Sequence, residues 1–336
     1  MSIATEKLNS NNLMMELPLI IRNHIHGIIE SIKPDTPLNG LLKNSVTYSL
    51  ECEGKYKRSV LLYLSYLCFS KDCLDDNLKY IAASIELMHN ASLIHDDIID
   101  HGLIRRGRES VVKKFGETTA LLTGDYLIFS SMRIASLAAS EQKSLLNILN
   151  KMNSTYCSLC SGQVMENDLI GNLDFEIEKY LEVIRLKTAV FFEMICEVAG
   201  IYAGASPVEI KAIYNFGHNI GMAYQIRDDV MSFMPAQKNK DKSITSDFER
   251  KLVTLPILIS YKNGNRNQKE LLRKYYLSDY KWDWALMCKT LEDTNALNET
   301  IKYIAYYVNT AKDCLSTLAP CTATDLLSSY AESLLI

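Results

Sequence analysis

Apolar positions spaced three or four residues apart recur in long segments through most of the chain. The helix breakers are scarce, with 14 glycines and 7 prolines in 336 residues, and they stand mainly between these segments. Strict alternation of apolar and polar positions, which indicates strands, is rare. The pattern predicts an all-α protein with helices near residues 12–31, 37–52, 56–70, 74–101, 117–138, 140–169, 174–204, 207–233, 248–262, 267–275, 281–291, 295–316 and 322–335.

The chain carries no internal repeat, low-complexity linker or shift in composition that would mark a domain boundary. We therefore expect a single domain over residues 1–336, with a long polar loop at "MPAQKNKDKSITSDFERK". Apolar residues make up 48% of the chain, which is enough for a substantial core. One all-α domain is the predicted architecture.

Charge and cysteine content restrict the classes of partner and the cellular compartment that we expect. The formal net charge of −4 argues against nucleic acid or an anionic membrane as a partner. Nine cysteines, an odd number, indicate free thiols in a reducing compartment, and the polar start "MSIATEKLNSNN" does not resemble a secretory signal. No apolar run approaches the roughly 18 residues of a transmembrane helix. A cytoplasmic protein is expected.

One acidic cluster interrupts an apolar helix at "NASLIHDDIID". On a helix, Asp96, Asp100 and Asp97 fall at about 0°, 40° and 100°, on one face. Because unpaired buried charge is costly, this face needs a partner, and a cation fits.

A second acidic pair, Asp228 and Asp229, interrupts "GMAYQIRDDVMSF" in the same way. Carboxylates without cysteine ligands suit Mg²⁺ rather than zinc. The histidines at 89, 95 and 101 are spaced by six and point to three different faces, so they cannot share a metal. Since Mg²⁺ usually completes its shell with substrate phosphates, we expect a polyanionic substrate.

Basic residues suited to phosphate lie in four places. Arg residues can hold a phosphate with two hydrogen bonds, and a helix N-terminus favours an anion. Any one of these groups alone would be read as a solvated patch, whereas together with two acidic clusters they indicate a phosphate site. The groups are Arg105 and Arg106; Lys55, Lys57 and Arg58; Lys187 with Thr188; and Lys242 with Lys251.

In chain order the sequence shows "GKYKR", "MHNASLIHDDIID", "RRG", "GD", "GQ", "LKT", "YQIRDD" and "SDFERKLVTLP". This set, over about residues 50–260, resembles the head-to-tail trans-prenyl diphosphate synthases, or polyprenyl synthetases. The resemblance implies an isoprenoid synthase-type bundle of antiparallel helices around a deep central cavity, usually in a homodimer. It also implies transfer of the allylic group of an allylic diphosphate onto isopentenyl diphosphate, with release of pyrophosphate. Three Mg²⁺ ions are implied to bind with the allylic diphosphate.

The resemblance also assigns site residues. Asp96 and Asp100, with Asp97 beside them, match the first metal motif, and Asp228 with Asp229 matches the second. The positions that contact the allylic diphosphate are Arg105, Lys187, Thr188, Gln225 and Lys242. The positions that bind isopentenyl diphosphate are Lys55, Arg58, His89 and Arg106, and Lys251 matches a basic residue of the closing loop.

The sequence departs from the family pattern at the end of the second motif, where Ser232 replaces an aspartate. Product length in the family depends on the helix of the first motif, where bulky residues stop growth early. Here Ala91, Ser92 and Met88 are not aromatic, so a geranylgeranyl or longer product is expected. Tyr126 or Phe129 is a candidate floor.

Three alternatives remain open at this stage. A terpene cyclase would keep the aspartates without needing the second diphosphate pocket. A regulatory subunit of a heteromeric synthase would be expected to lose the first motif, which is intact here. A non-catalytic helical binding module would require every basic position to be a coincidence.

Overall fold

The computed structural model describes residues 13–31, 40–51, 56–70, 75–138, 142–234, 250–278 and 283–336. Within these ranges the chain is almost entirely helical, which confirms the predicted all-α class. The helices are α1 Leu13–Ser31, α2 Gly40–Leu50, α3 Lys57–Leu67, α4 Leu78–Ile99, α5 Val111–Phe115, α6 Glu117–Ala135, α7 Gln142–Glu166, α8 Ile177–Ile184, α9 Val190–Tyr202, α10 Pro207–Met231, α11 Leu255–Asn263, α12 Arg266–Leu277, α13 Trp284–Asp293, α14 Ala296–Leu315 and α15 Thr322–Glu332.

The described strands, β1 Ile104–Arg105 and β2 Arg108–Glu109, form one short antiparallel hairpin. None of the helices in the described ranges has the length and apolar character needed to cross a membrane. The seven described cysteines are free thiols, and Cys157 with Cys160 lies within α7 rather than in a metal site.

The helices group into two compact units. The first comprises Met1–Met152, Val198–Ser206 and Cys321–Leu326, and the second comprises Asn153–Glu197, Pro207–Pro320 and Leu327–Ile336. The expectation of a single domain stays a prediction.

In the first unit, α4 packs along α6 through small residues. The Ser84 hydroxyl donates to the Ser131 carbonyl at 2.7 Å, and Gly124 leaves room for the His95 ring. Apolar side chains of α4 such as Ile81 and Ile85 are completely buried. This close packing fixes the helix that carries the first acidic cluster.

In the second unit, the predicted helix over 174–204 is interrupted by a π-helical turn at Arg185–Ala189. Two glycines allow neighbouring helices to approach this turn. A Cβ on Gly162 of α7 would lie 2.5 Å from the Lys187 backbone nitrogen, and a Cβ on Gly221 of α10 would lie 2.5 Å from the Ala189 Cα. Because π turns occur often at functional sites, this distortion is consistent with a functional role for the "LKT" motif.

A buried carboxylate anchors the far side of this turn. Glu193, only 4% exposed, accepts hydrogen bonds from Arg185 Nε at 3.0 Å, from the Tyr214 hydroxyl at 2.7 Å and, at 2.8 Å, from His218 Nδ1. Burial alone would raise the pKa of Glu193, but the hydrogen bonds from His218, Arg185 and Tyr214 outweigh it and lower the pKa to about 2. Glu193 therefore stabilises the fold in its charged form.

Replacing Glu193 by glutamine is expected to destabilise the protein at neutral pH. A pKa lowered from 4.5 to about 2 corresponds to about 3 kcal/mol. Because the folded-state pKa is lowered, this stabilisation is present above about pH 4.5 and is lost as the pH falls toward 2. Urea unfolding should therefore show a large deficit for Glu193→Gln at pH 7 that narrows at pH 3. A deficit that is constant with pH, or no larger than that of the exposed Glu270→Gln, would contradict this account.

Candidate active site

The first acidic cluster lies where α4 ends. The Gly102 N–H donates to the Asp97 carbonyl at 2.8 Å and the His101 N–H to the Ile98 carbonyl at 3.4 Å, a Schellman motif with His101 in the left-handed region at φ 51°. This motif turns the chain sharply back along the helix. A Cβ at Gly102 would lie 2.5 Å from Asp97 Oδ1, so a larger residue would displace the carboxylate that Arg105 contacts.

The three carboxylates do not share one environment. Asp97 is 2% exposed, whereas Asp96 and Asp100 are half-buried. Arg105 donates to Asp97 Oδ1 through Nη2 at 2.5 Å and through Nε at 3.1 Å. Burial raises the pKa of Asp97, and the hydrogen bonds from Arg105 oppose that rise only in part. Asp97 therefore holds Arg105, and the more exposed Asp96 and Asp100 stay the predicted metal ligands of this cluster.

The "RRGR" sequence forms the tight hairpin between β1 and β2. Arg106 and Gly107 occupy its two central positions with φ of 51° and 76°, the conformation of a type I′ turn. A non-glycine residue in this region is strained and suggests a functional constraint. The hairpin brings Arg105, Arg106 and Arg108 to one pocket, which is also lined by Tyr48, Asn90 and Asp97.

Arg58 and His89, two predicted contacts of isopentenyl diphosphate, touch each other. Arg58 Nη1 donates to His89 Nε2 at 2.9 Å. Burial and the nearby cations Arg58, Arg106 and Arg105 lower the pKa of His89 well below its usual value, so its ring is neutral. His89 and Arg106 line a second pocket with Tyr56. Three of the four predicted residues thus come together, and Lys55 lies outside the described residues.

The N-terminus of α3, where an anion was expected, already has a carboxylate. Glu86 accepts hydrogen bonds from the Ser59 backbone N–H at 3.1 Å and from the Ser59 hydroxyl at 2.7 Å. Glu86 lines the same pocket as His89. These hydrogen bonds join the first turn of α3, which carries Arg58, to α4.

In the second unit, the two aspartates of the second acidic pair differ in burial, as those of the first cluster do. Asp229 is 7% exposed and accepts hydrogen bonds from the Tyr180 hydroxyl and, at 3.0 Å, from Gln225 Nε2. The Thr188 hydroxyl donates to Gln225 Oε1 at 2.8 Å, so two residues predicted to contact diphosphate are linked to the aspartate. Burial and the neighbouring Asp229 raise the pKa of Tyr180 well above its usual value, which keeps its hydroxyl a donor. Asp228 is exposed.

The residue that departs from the family pattern, Ser232, turns inward to its own helix. Its hydroxyl donates to the Asp228 backbone carbonyl at 3.2 Å. Ser232 therefore supports the helix end that carries Asp228 and adds no charge to the pair.

Lys187 extends from the π turn to a buried carboxylate. Its Nζ lies 2.6 Å from each oxygen of Glu166, which is 6% exposed and also accepts from Gln163 Nε2 at 3.1 Å and Arg250 Nη2 at 3.4 Å. Lys251, next to Arg250, donates to the Ser278 carbonyl at 3.0 Å. Lys242 lies outside the described residues.

The residues expected to set product length differ in exposure. Met88 and Ala91 are completely buried, and Ser92 is half-buried with its hydroxyl bonded to the His89 carbonyl at 2.8 Å. The Phe129 ring is 75% exposed on α6 of the single chain, so Phe129 does not form a floor inside this chain, whereas the half-buried Tyr126 stays a candidate.

Several residues around the site were not found from the sequence. The sequence contains one indication of Glu166. It lies four positions after Gly162 of the "GQ" motif, and residues four apart share one face of a helix. Tyr180, Glu86 and Arg108 had none, since their roles depend on partners in other helices.

Comparison with known proteins identifies relatives along most of the chain. A family model described as polyprenyl synthetase matches residues 39–285. The heptaprenyl diphosphate synthase component 2 of Bacillus subtilis (strain 168) is 28% identical over 304 residues, 90% of this chain and 84% of that protein. The geranylgeranyl diphosphate synthase of Methanosarcina mazei is 27% identical over 326 residues, 95% of this chain and 98% of that protein. The geranylgeranyl pyrophosphate synthetase from Pyrococcus horikoshii Ot3 superposes with a TM-score of 0.86 at 26% identity, covering 96% of this chain and 98% of that one.

The fold and the two aspartate-bearing helices define an isoprenoid synthase of the all-α type. The chain belongs to the polyprenyl synthetase family, whose members are prenyltransferases. The predictions of fold class and of a prenyl diphosphate synthase are therefore confirmed.

Proposed function

We propose that this enzyme adds isopentenyl diphosphate head to tail to allylic diphosphate primers and releases geranylgeranyl diphosphate or a longer polyprenyl diphosphate. The observation that carries the proposal is the end of α4. There Asp96 and Asp100 are half-buried, and a hairpin follows that brings three arginines to one pocket. Carboxylates for a cation next to guanidinium groups for phosphate suit a metal-bound diphosphate.

We infer that magnesium is the cofactor, with three ions in the liganded enzyme, because carboxylates are the hard oxygen ligands that Mg²⁺ prefers. No group of three His, Cys, Asp or Glu side chains able to hold a metal occurs in the described part of the chain. Magnesium takes one or two protein carboxylates and completes its shell with water and substrate phosphate, which Asp96 and Asp100 at the end of one helix suit. Asp96, Asp100 and Asp228 are the proposed ligands. Bound Mg²⁺ would neutralise charge on the departing diphosphate.

The protein side chains have distinct proposed roles. Arg105, Lys187, Thr188, Gln225 and Lys242 bind the allylic diphosphate and stabilise the negative charge that grows on it when the C–O bond breaks. A second group, consisting of Lys55, Arg58, His89 and Arg106, binds isopentenyl diphosphate, and Lys251 serves the closing loop.

A neutral His89 suits this second pocket. With Arg58 donating to Nε2, its other ring nitrogen carries the proton, so the neutral ring can orient the Arg58 guanidinium for a phosphate. Asp97 and Asp229 act by holding Arg105 and Gln225 in place. Because no protein base is evident among the described residues around the site, the released pyrophosphate is the proposed acceptor of the final proton.

A homodimer in the cytoplasm is the proposed state. The α6 surface exposes Leu121, Leu122 and Phe129, an apolar stripe that a second copy of the chain would cover. Free thiols at all seven described cysteines suit a reducing compartment. Light scattering on the purified chain should give twice the mass of 38.1 kDa.

The test of the function is elongation. The purified protein is incubated with Mg²⁺, isopentenyl diphosphate and allylic primers of ten, fifteen and twenty carbons, and product lengths are measured. We expect products of twenty carbons or more from the shorter primers. Failure to elongate any primer, with release of a cyclic hydrocarbon, would instead favour a terpene cyclase.

A regulatory subunit of a heteromeric synthase is the second candidate, because two relatives are named as component 2 of a heptaprenyl diphosphate synthase. The half-buried Asp96 and Asp100 favour an active subunit. Elongation by the chain alone supports the first candidate, and elongation only after a second polypeptide is added supports heteromeric assembly.

Replacing Ser92 by phenylalanine is expected to shorten the product. Ser92 lies one helical turn before Asp96 and is half-buried, so a ring at this position can obstruct a growing tail. Ala91→Phe should also shorten the product, but Ala91 is completely buried and its variant must first be shown to fold. Chromatography of the products checks both, with the exposed Ser136→Phe as the control. An unchanged length distribution in a folded Ser92→Phe would exclude this helix face as the determinant.

A further inference from the structure

The proposed function leaves one contact unexplained. Lys187 is expected to bind a diphosphate, yet its ammonium group lies 2.6 Å from both oxygens of Glu166. An ion pair in which both oxygens are engaged by one ammonium, with the carboxylate 6% exposed, is held much more firmly than a surface pair.

The helix that bears Glu166 contacts Lys187 at two points. Gly162 and Glu166 are four residues apart and share one face of α7. A Cβ on Gly162 would lie 2.5 Å from the Lys187 backbone nitrogen, so the helix backbone packs directly on the π turn. Glu166 then holds the far end of the same side chain. The backbone and the ammonium of Lys187 are therefore both fixed by α7.

The charged groups around Glu166 are positive in sum and can attract an anion. Arg250 Nη2 lies 3.4 Å from Glu166 Oε2, and Gln163 Nε2 donates to the same oxygen at 3.1 Å. One carboxylate thus lies between two cations, and the cluster formed by Glu166, Lys187 and Arg250 carries a formal charge of plus one. A carboxylate in this position orders the two cations but also opposes the binding of a diphosphate.

We propose that Glu166 is a positioning residue that fixes the Lys187 ammonium for the leaving diphosphate and weakens ground-state binding in doing so. The inference rests on the proposed function of Lys187. Ordered cations stabilise charge that develops in the transition state without having to reorganise, so their loss lowers kcat. Removal of the carboxylate charge has the opposite effect on the binding of an anion. The two effects therefore have opposite signs, which a simple loss of structure would not produce.

The first experiment compares Glu166→Gln with wild type in steady state and in equilibrium binding of Mg²⁺-pyrophosphate. We expect kcat to fall about 10²-fold, since a small misplacement of a catalytic group has effects of this size. We expect pyrophosphate to bind more tightly, roughly tenfold. Glu166→Asp, which keeps the charge, should recover part of kcat and bind pyrophosphate like wild type. Glu176→Gln, at an exposed ion pair with Lys179, is the matched control and should match wild type.

A double-mutant cycle with Lys187→Gln separates positioning from a general effect on folding. If Glu166 acts through Lys187, adding Glu166→Gln to the Lys187→Gln variant should change kcat less than twofold. Full additivity, or weaker pyrophosphate binding in a folded Glu166→Gln, would overturn the inference. The two proposals fail differently: a wild type that elongates no primer contradicts the function, whereas an active wild type with an unaffected Glu166→Gln contradicts only the positioning role. The pyrophosphate measurement tests that role in either case.

Discussion

Replacing Asp96 by asparagine is expected to lower turnover about 10³-fold, equivalent to about 4 kcal/mol of transition-state stabilisation. Asp96 and Asp100 are the half-buried carboxylates of the first cluster, and the amide of asparagine cannot neutralise a cation at the leaving diphosphate. The change keeps the size of the side chain, so the fold should be retained. Initial rates of isopentenyl diphosphate incorporation at saturating Mg²⁺ measure the effect.

The control for this prediction is Asp76→Asn, which makes the same chemical change at a side chain that is 74% exposed near the start of α4. It should retain wild-type turnover. Near-normal activity of a folded Asp96→Asn variant would mean that the metal assignment is wrong.

Arg105→Gln is expected to destabilise the protein by about 2–3 kcal/mol, because it leaves the Asp97 carboxylate buried without its cation, although the 39% exposure of Arg105 screens the pair in part. Asp97 is 2% exposed, and Arg105 contacts both of its oxygens. The variant should also lose activity, because Arg105 is proposed to bind the allylic diphosphate. Urea unfolding measures the first effect and the elongation rate measures the second.

Neutralising Asp97 as well distinguishes the loss of the buried ion pair from a general loss of stability. In the double variant Arg105→Gln with Asp97→Asn, two amides face each other, and most of the lost stability should return. Activity should remain low because the guanidinium is still absent. Arg133→Gln, on the exposed side of α6, is the surface control. A double variant that is less stable than Arg105→Gln would contradict the assignment of Asp97 as the partner that stabilises Arg105.

Periodicity predicted most of the helices because their apolar faces are local features of the sequence. It placed one helix over 174–204, where the structure has a π turn at Arg185–Ala189. The apolar pattern continues through that turn, and the contacts that accompany it come from Gly162 and Gly221 on other helices. The hairpin at Arg105–Arg108 was also missed as an element, because two-residue strands leave no periodic signal.

The chemistry of the site was predictable to the level of residue type. The helical spacing of Asp96, Asp97 and Asp100 placed all three on one face, but it could not assign one of them to a buried ion pair. That assignment depends on the Schellman motif at His101 and on the hairpin turn at Arg106, which return Arg105 to α4.

The Glu166 contact likewise joins residues 21 positions apart on different helices. Sequence spacing within one helix carries no information about such a pair. Lys187 could therefore be recognised from the sequence, whereas the side chain that positions it could not.

If this chain joins five-carbon units head to tail, each unit added must release one pyrophosphate, and the stoichiometry of the reaction measures this. The purified protein is supplied with Mg²⁺, one allylic primer and isotopically labelled isopentenyl diphosphate, and released pyrophosphate is compared with label in the extended product. We predict one pyrophosphate for every labelled unit incorporated, in a linear product of at least twenty carbons. Pyrophosphate release without incorporation of label would show that the chain does not join five-carbon units.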